Sequence, residues 1–402
     1  MKLIQRASLL IFFFSINFEV WDPFNTGGSF SLAKLTGFIY LVMMLPSITS
    51  FVSRKDVKYF LNPVLFFFLF LTLINILNKN SNLQNFLNIS IFQNICLFYI
   101  LLNHEIIDHG ILEKGLISFA IGSIVFALLY SAGIGVEISA GGRVSVFGDN
   151  QNPIAMRSCI SILIIIFSVI QNPLNLGKLR YILFLPVPLM IQLIVVTASR
   201  AAILSFILSV LFMVILMRNK NIWVKILIFM IALLMLAAAW MYTVQSEVLS
   251  IRLLSSLQDR DLSGREIIWQ NIAPLIKDNF IFGVGTVGYL NFSQDTFGYM
   301  NSPHNVFLEI LCYTGIIGLM IYMVFLYRIF LKSYELYRNK KILLPLILLF
   351  PILGTTISSQ ILEVKTGWIL FAYIAGTSQI LTNSSDVAKT NIHNMNHQDR
   401  QP

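Results

Sequence analysis

Apolar residues run along this chain in long blocks, not in the alternating or one-sided stripes of a water-facing fold. Blocks of roughly 17–25 residues, enough to cross a bilayer as helix, lie near 7–21, 30–50, 59–77, 86–102, 115–134, 154–170, 180–198, 200–217, 223–243, 304–327, 342–362 and 366–382. The first is short and the junction at Ser199 is tight. Only helices or closed barrels satisfy their backbone in lipid, and blocks this long read as helices. The expectation is an all-α polytopic integral membrane protein with about 12 transmembrane helices. Lys2 and Arg6 before the first block resemble a secretory leader, but Asn17-Phe18-Glu19-Val20-Trp21 offers no small-residue cleavage site. An uncleaved first helix is expected.

Composition agrees. Of 402 residues, 56% are apolar and 12% charged, with mean hydropathy +0.77. A soluble domain carries about 25% charged residues, so an ordinary water-soluble enzyme is excluded, and so is intrinsic disorder.

The net charge of +9 raises the question of nucleic acid until the charges are sorted by loop. With the N-terminus inside on account of Lys2 and Arg6, alternation puts 18 of the 28 basic residues on the cytoplasmic side. The clusters are Arg54/Lys55/Lys58, Lys178/Arg180, Arg218/Lys220/Lys225 and Arg328 to Lys341, and both termini fall inside. The excess charge is an orientation signal, and nucleic acid is not an expected partner. The chain then divides into residues 1–243 with helices 1–9, 244–303 as one large extracytoplasmic loop with short helices, 304–382 with helices 10–12, and 383–402 as a disordered cytoplasmic tail. A loop that long in a compact protein is usually functional.

Cofactor chemistry finds little support. Cys96, Cys159 and Cys312 fall inside separate spans and read as small apolar residues. No metal-ligand spacing and no phosphate-binding P-loop motif occur, so neither metal nor cofactor is expected. Gly283-Val284-Gly285-Thr286-Val287-Gly288 matches a dinucleotide fingerprint in form, but lacks the surrounding strand, helix and acid. It reads as a turn where backbone bends or approaches closely.

Positive charge on the outer side runs against the orientation bias and asks for a reason. Arg200 stands in Thr197-Ala198-Ser199-Arg200-Ala201-Ala202, where the plainer alternative is an interfacial anchor. Arg143 stands in a glycine- and amide-rich loop, with simple solvation as its alternative; Arg157, one turn into the next span, belongs with it or pairs with Asp149. Ser263-Gly264-Arg265-Glu266 reads as a capping box opening a helix over 264–273 that carries Trp269 and is interrupted at Pro274. Arg265 would stand in the first turn, where the dipole favours anions. A cation there suggests an anionic ligand, the alternative being a salt bridge to Asp261 or Glu266. His304, beside Asn305, is the one histidine outside; it is a candidate general base or, alternatively, an interfacial cap. Arginine forks match phosphate oxygens bidentately. Several of them near one histidine at the membrane surface suit a polyprenyl diphosphate carrying a sugar. The arginines would stabilise the leaving diphosphate while His304 deprotonates an acceptor hydroxyl.

At these residues the sequence resembles the O-antigen ligase and O-antigen polymerase family of bacterial surface-glycan assembly. Pro303-His304-Asn305, nine residues, then Gly315-Ile316-Ile317-Gly318 is similar to the family's His-Asn, spacer, Gly-x-x-Gly signature. Upstream, Gly264-Arg265, Trp269, Pro274 and Gly283-Val284-Gly285 follow its Gly-Arg, Trp, Pro, Gly-x-Gly order, and Ser199-Arg200-Ala201 resembles its Ser-Arg turn. The resemblance implies a membrane glycosyltransferase acting on undecaprenyl-diphosphate-linked glycan at the periplasmic face of the bacterial inner membrane. It implies catalytic roles for His304, Arg265 and Arg200; Arg143, Arg157, Asn305 and Trp269 are expected to bind substrate. Its implied partners are the lipid-linked donor, a glycan or lipid A-core acceptor, membrane lipid, a chain-length regulator and a flippase. Leu319-Met320 replace the Thr-Thr pair common after the last glycine in ligases, and a paired arginine motif reported in some polymerases is missing. A polymerase of O-antigen, capsule or exopolysaccharide repeats is favoured over a ligase. A transporter or flippase is the reading from a different class, but no internal repeat supports it.

Overall fold

A computed structural model describes residues 1–27, 30–51, 55–78, 88–138, 144–171, 177–217, 222–245, 265–299, 301–359 and 362–377. The first helices are α1 (Lys2–Ser15), α2 (Leu32–Met44), α3 (Lys55–Leu77), α4 (Ile89–Ile107) and α5 (Ile111–Ser131). A short hairpin, β1 (Val136–Ile138) and β2 (Val144–Val146), leads to α6 (Gln151–Gln171), α7 (Val187–Val196), α8 (Arg200–Leu216) and α9 (Ile222–Gln245). Then come α10 (Arg265–Asp278), α11 (Gly285–Phe297), α12 (Val306–Lys340), α13 (Leu344–Ile347), α14 (Leu349–Ser358) and α15 (365–377).

Six helical segments among the described residues are long and apolar enough to cross a membrane, and three shorter apolar ones accompany them. The chain is a multi-pass membrane protein. At the centre stands α6, the apolar stretch of which is 89% buried, against α5, α7 and α8. Next to α1 pack α2 and α5, while α3 lies along α12. An aromatic cluster ties α4, α12 and α15 together: Phe325 sits 5.9 Å from Phe98 and 5.0 Å from Phe371, ring centre to ring centre.

Several elements differ from the sequence-based expectation. The fold is not wholly α: Val136 pairs antiparallel with Val146, and Ile138 with Val144. Alternating β-branched residues between glycines favour this ribbon, and Gly135 (φ +69°) leaves room for the Phe147 ring, which a Cβ would meet at 2.4 Å. The block near 180–198 begins as a 3-10 turn over Gly177–Phe184, and α-helix starts only at Val187. Pro186 and Pro188 explain this, because proline suits a helix start and not its interior. Pro274 does not interrupt α10, which runs on to Asp278.

The block at 304–327 belongs to a helix of 35 residues broken at Gly315 (φ 61°, ψ −161°). The continuous part after the break, 316–340, is about 37 Å at 1.5 Å per residue, longer than roughly 30 Å of hydrocarbon, and its basic end from Arg328 is the part that suits the membrane surface.

The two ends of the bundle are chemically distinct. At one end Arg6 pairs with Asp108, and the Arg328 guanidinium lies 4.4 Å over the Tyr59 ring and donates to the Tyr59 carbonyl. At the other end gather Glu19, Asp149, Arg157, Arg265, Ser358 and Lys365, linked as described below. The loop expected over 244–303 contributes α10 and α11 there; its residues 246–264 lie outside the described residues, as does the tail over 383–402.

Candidate functional site

Three helix N-termini carry the residues singled out by sequence. Arg200 is the first residue of α8, after Ala198 in the left-handed region (φ 52°) and Ser199 as N-cap. Arg265 is the first residue of α10. His304 and Asn305 immediately precede α12. Each N-terminus carries a positive dipole end, so an anion-favouring feature recurs beside all three residues.

These residues are brought together. Arg265 is half-buried; burial and then the charge of Arg200 lower its pKa from the ordinary guanidinium value. Burial and the charge of Arg265 lower that of His304 below 6.5. Arg200 and Arg265 thus act on one another, and the same field favours the neutral form of the His304 imidazole. Arg200 itself is exposed.

Positioning comes from backbone contacts. Trp269 stands one turn after Arg265 on the same helix face, and its indole N–H donates to the Pro303 carbonyl at 2.9 Å. Arg265 Nη2 donates to the carbonyl of Ser358, the last residue of α14, at 3.1 Å. Helix α10 is thus clamped at one point to the His304 turn and at another to α14. His304 has φ +50°, a conformation uncommon for a residue with a side chain. Its N–H donates to Ser302 Oγ at 3.2 Å. Asn305 is the cap: its Oδ1 accepts from the N–H of Phe307 at 3.0 Å and of Leu308 at 3.3 Å. The capping alternative considered for His304 therefore falls to its neighbour.

The glycine motifs meet each other. The Val284 N–H donates to the Cys312 carbonyl and the Ile316 N–H to the Phe280 carbonyl, both at 2.8 Å. A Cβ on Gly283 would come within 2.6 Å of the Thr314 nitrogen, and one on Gly315 within 2.4 Å of the Ile281 carbonyl carbon. Residues 280–284 fill the break in α12, one loop segment docking backbone to backbone into a membrane helix. That agrees with a close-approach turn and not with a nucleotide loop. Asn75 of α3 fixes the far side, accepting from the Thr286 N–H at 2.8 Å.

Arg157 lies 4% exposed in an ion pair with Asp149, and its Nη1 is 3.7 Å from Glu19. Glu19 also accepts from Lys365 Nζ at 2.8 Å. The structure therefore places Arg157 in a buried chain of charges, and the pairing with Asp149 is the observed alternative. Arg143, Ser263 and Gly264 lie outside the described residues.

One residue was missed. Glu309, 2% exposed and one turn beyond Asn305, accepts from the Tyr313 hydroxyl at 3.0 Å. A lone acid in the first turn of an apolar block was the available signal. Among the described residues no three His, Cys, Asp or Glu side chains converge as metal ligands would. Cys159 and Cys312 are buried free thiols and Cys96 is half-buried.

Residues 185–323 match the family model described as O-Antigen ligase. The matched stretch runs from α7 into α12 and contains Arg200, Arg265, Trp269, His304 and both glycine motifs. The O-antigen ligase and polymerase resemblance is borne out over the part of the chain that builds the site. At the level of the family the match supports a membrane enzyme that transfers glycan. A search of curated proteins found no match to the chain.

Proposed function

We propose that this chain is a glycosyltransferase of the bacterial inner membrane that moves an undecaprenyl-diphosphate-linked glycan to an acceptor hydroxyl at the periplasmic face. The topology that goes with this reading has twelve crossings, both termini in the cytoplasm and the His304 end outside. The observation that carries it is the 2.9 Å hydrogen bond from Trp269 to Pro303, which sets the helix that begins at Arg265 against the His304 turn, within the matched stretch that also holds Arg200.

The step follows from that arrangement. The acceptor oxygen attacks the anomeric carbon of the donor sugar as the bond from that carbon to the diphosphate oxygen breaks. The electron pair leaves with the diphosphate, and the growing negative charge meets Arg200, Arg265 and the helix dipoles. The acceptor proton passes to the neutral imidazole of His304 and from there to water. Trp269 and Asn305 hold the His304 turn in place. Arg143 remains a candidate contact to the donor from its sequence alone, and Arg157, buried in its pair with Asp149, supports the site as part of the charge chain.

Polymerisation of O-antigen, capsule or exopolysaccharide repeats is the favoured branch, because Leu319-Met320 stand where ligases carry Thr-Thr. Transfer of finished glycan to lipid A-core is the second reading, favoured by the description of the matching family model. A flippase supplying lipid-linked repeats and a chain-length regulator are the partners this scheme requires. A deletion strain tests the branch. Single-repeat caps on lipopolysaccharide support polymerisation, whereas bare core with long lipid-linked chains supports ligation.

A further inference from the structure

A cavity opens at the same end of the bundle, between α1, α2, α4 and the turn before α15, with a volume of about 810 Å³. Its floor is apolar, formed by Phe12, Leu41 and Leu97, with the small residues Ala33 and Gly37 of α2 leaving the space open. Its rim is polar: Ser90 and Gln93 from α4, Lys34 from α2, and Glu363 with Lys365 from the turn. Two carboxylates and two ammonium groups line it, Glu19 and Lys365 already paired, and arginine is missing from the lining residues. This is the reverse of the arginine-rich His304 group. The rim suits hydroxyl-rich, weakly charged head groups, which amide, hydroxyl and carboxylate side chains bind, and the floor suits hydrocarbon.

The wall of this cavity leads to the catalytic group. Val364, between Glu363 and Lys365, faces a small cleft shared with Arg157, Thr355 and Ser358; the Ser358 carbonyl holds Arg265. Glu19 lines the cavity on one side and reaches Arg157 on the other.

Resting on the glycosyltransferase reading above, we propose that this cavity is the acceptor site, binding the sugar end of an amphiphilic acceptor at the Gln93–Glu363 rim with its hydrocarbon on the Phe12–Leu41 floor. The acceptor sugar then lies on the far side of residues 362–366 and the Lys365–Glu19–Arg157–Asp149 charge chain from the Arg265–His304 group that would take the donor diphosphate.

The test uses full-length protein in lipid nanodiscs and a diazirine-bearing alkyl glucoside, which carries sugar and hydrocarbon but no phosphate. Labelling is expected within residues 31–41 and 90–97. It should fall about tenfold in Gln93→Trp and in Ser90→Trp, both exposed rim positions, and should persist in Arg265→Ala. In a transfer assay Gln93→Trp should raise the KM for acceptor and leave that for donor unchanged. Label spread evenly over lipid-facing helices, or insensitive to both tryptophan variants, overturns the site. Label concentrated there while no variant or wild-type protein transfers glycan keeps the site and refutes the glycosyltransferase reading instead.

Discussion

The indole N–H of Trp269 donates to the carbonyl of Pro303 at 2.9 Å, directly before His304. Because Arg265 lies one turn earlier on the same helix, arginine and histidine are positioned by one rigid element and not by two independent loops. Trp269→Phe keeps the ring packing and removes only this hydrogen bond. Small displacements of a reacting group cost up to about 100-fold in rate. The expected result is a kcat lowered at least about tenfold with donor KM nearly unchanged, read in a steady-state transfer assay with stability followed in parallel.

Arg265 offers a planar fork to an anion while bound to a neutral carbonyl at Ser358. Arg265→Ala should lower the transfer rate by about 10²–10³, the range seen when a group stabilising developing charge is lost. Arg265→Lys should recover little of it, since a point charge does not reproduce two parallel N–H donors. Rates measured at saturating donor separate this from weaker binding.

The His304 pKa is depressed by burial and by Arg265, which fixes the sign of the pH dependence. Only the neutral ring accepts a proton, so activity falls as pH drops through the folded-state pKa, below the ordinary 6.5. Arg265→Gln removes one depressing charge, so the acid limb of its residual activity should move to higher pH. A pH–rate profile of the two proteins checks this.

Gly315 accepts residues 280–281 into the break of α12, and no side chain fits there. Gly315→Ala should therefore lower both thermal stability and activity. Gly298→Ala is the control: Gly298 has φ +77°, but a Cβ meets nothing within 4 Å. Its cost should be only the left-handed strain of about 1–2 kcal/mol. Thermal unfolding in detergent distinguishes the two.

Much of this was legible in the sequence, and particular residues show where legibility ended. The hydrophobic blocks announced the helices because a bilayer imposes length and apolarity on each one separately. Which block is cut short was not legible: Pro186 delays a helix, whereas Pro274 sits inside one, and neighbouring packing decides. The Gly-x-Gly and Gly-x-x-Gly motifs each signalled close backbone approach. That Gly283 and Gly315 approach each other is a tertiary fact between residues 32 apart. The sequence also marked Arg157 as paired with Asp149 or free for substrate, and only folding of Glu19 beside it decided the ion chain.

The most direct test reconstitutes the purified protein in liposomes with a polyprenyl-diphosphate-linked glycan donor, a glycan acceptor and no ion gradient. The account predicts glycan transfer by the wild type and its loss in His304→Ala and Arg265→Ala, with membrane insertion unchanged in both. Full transfer by either alanine variant, or movement of the lipid-linked glycan across the bilayer without transfer, would contradict it.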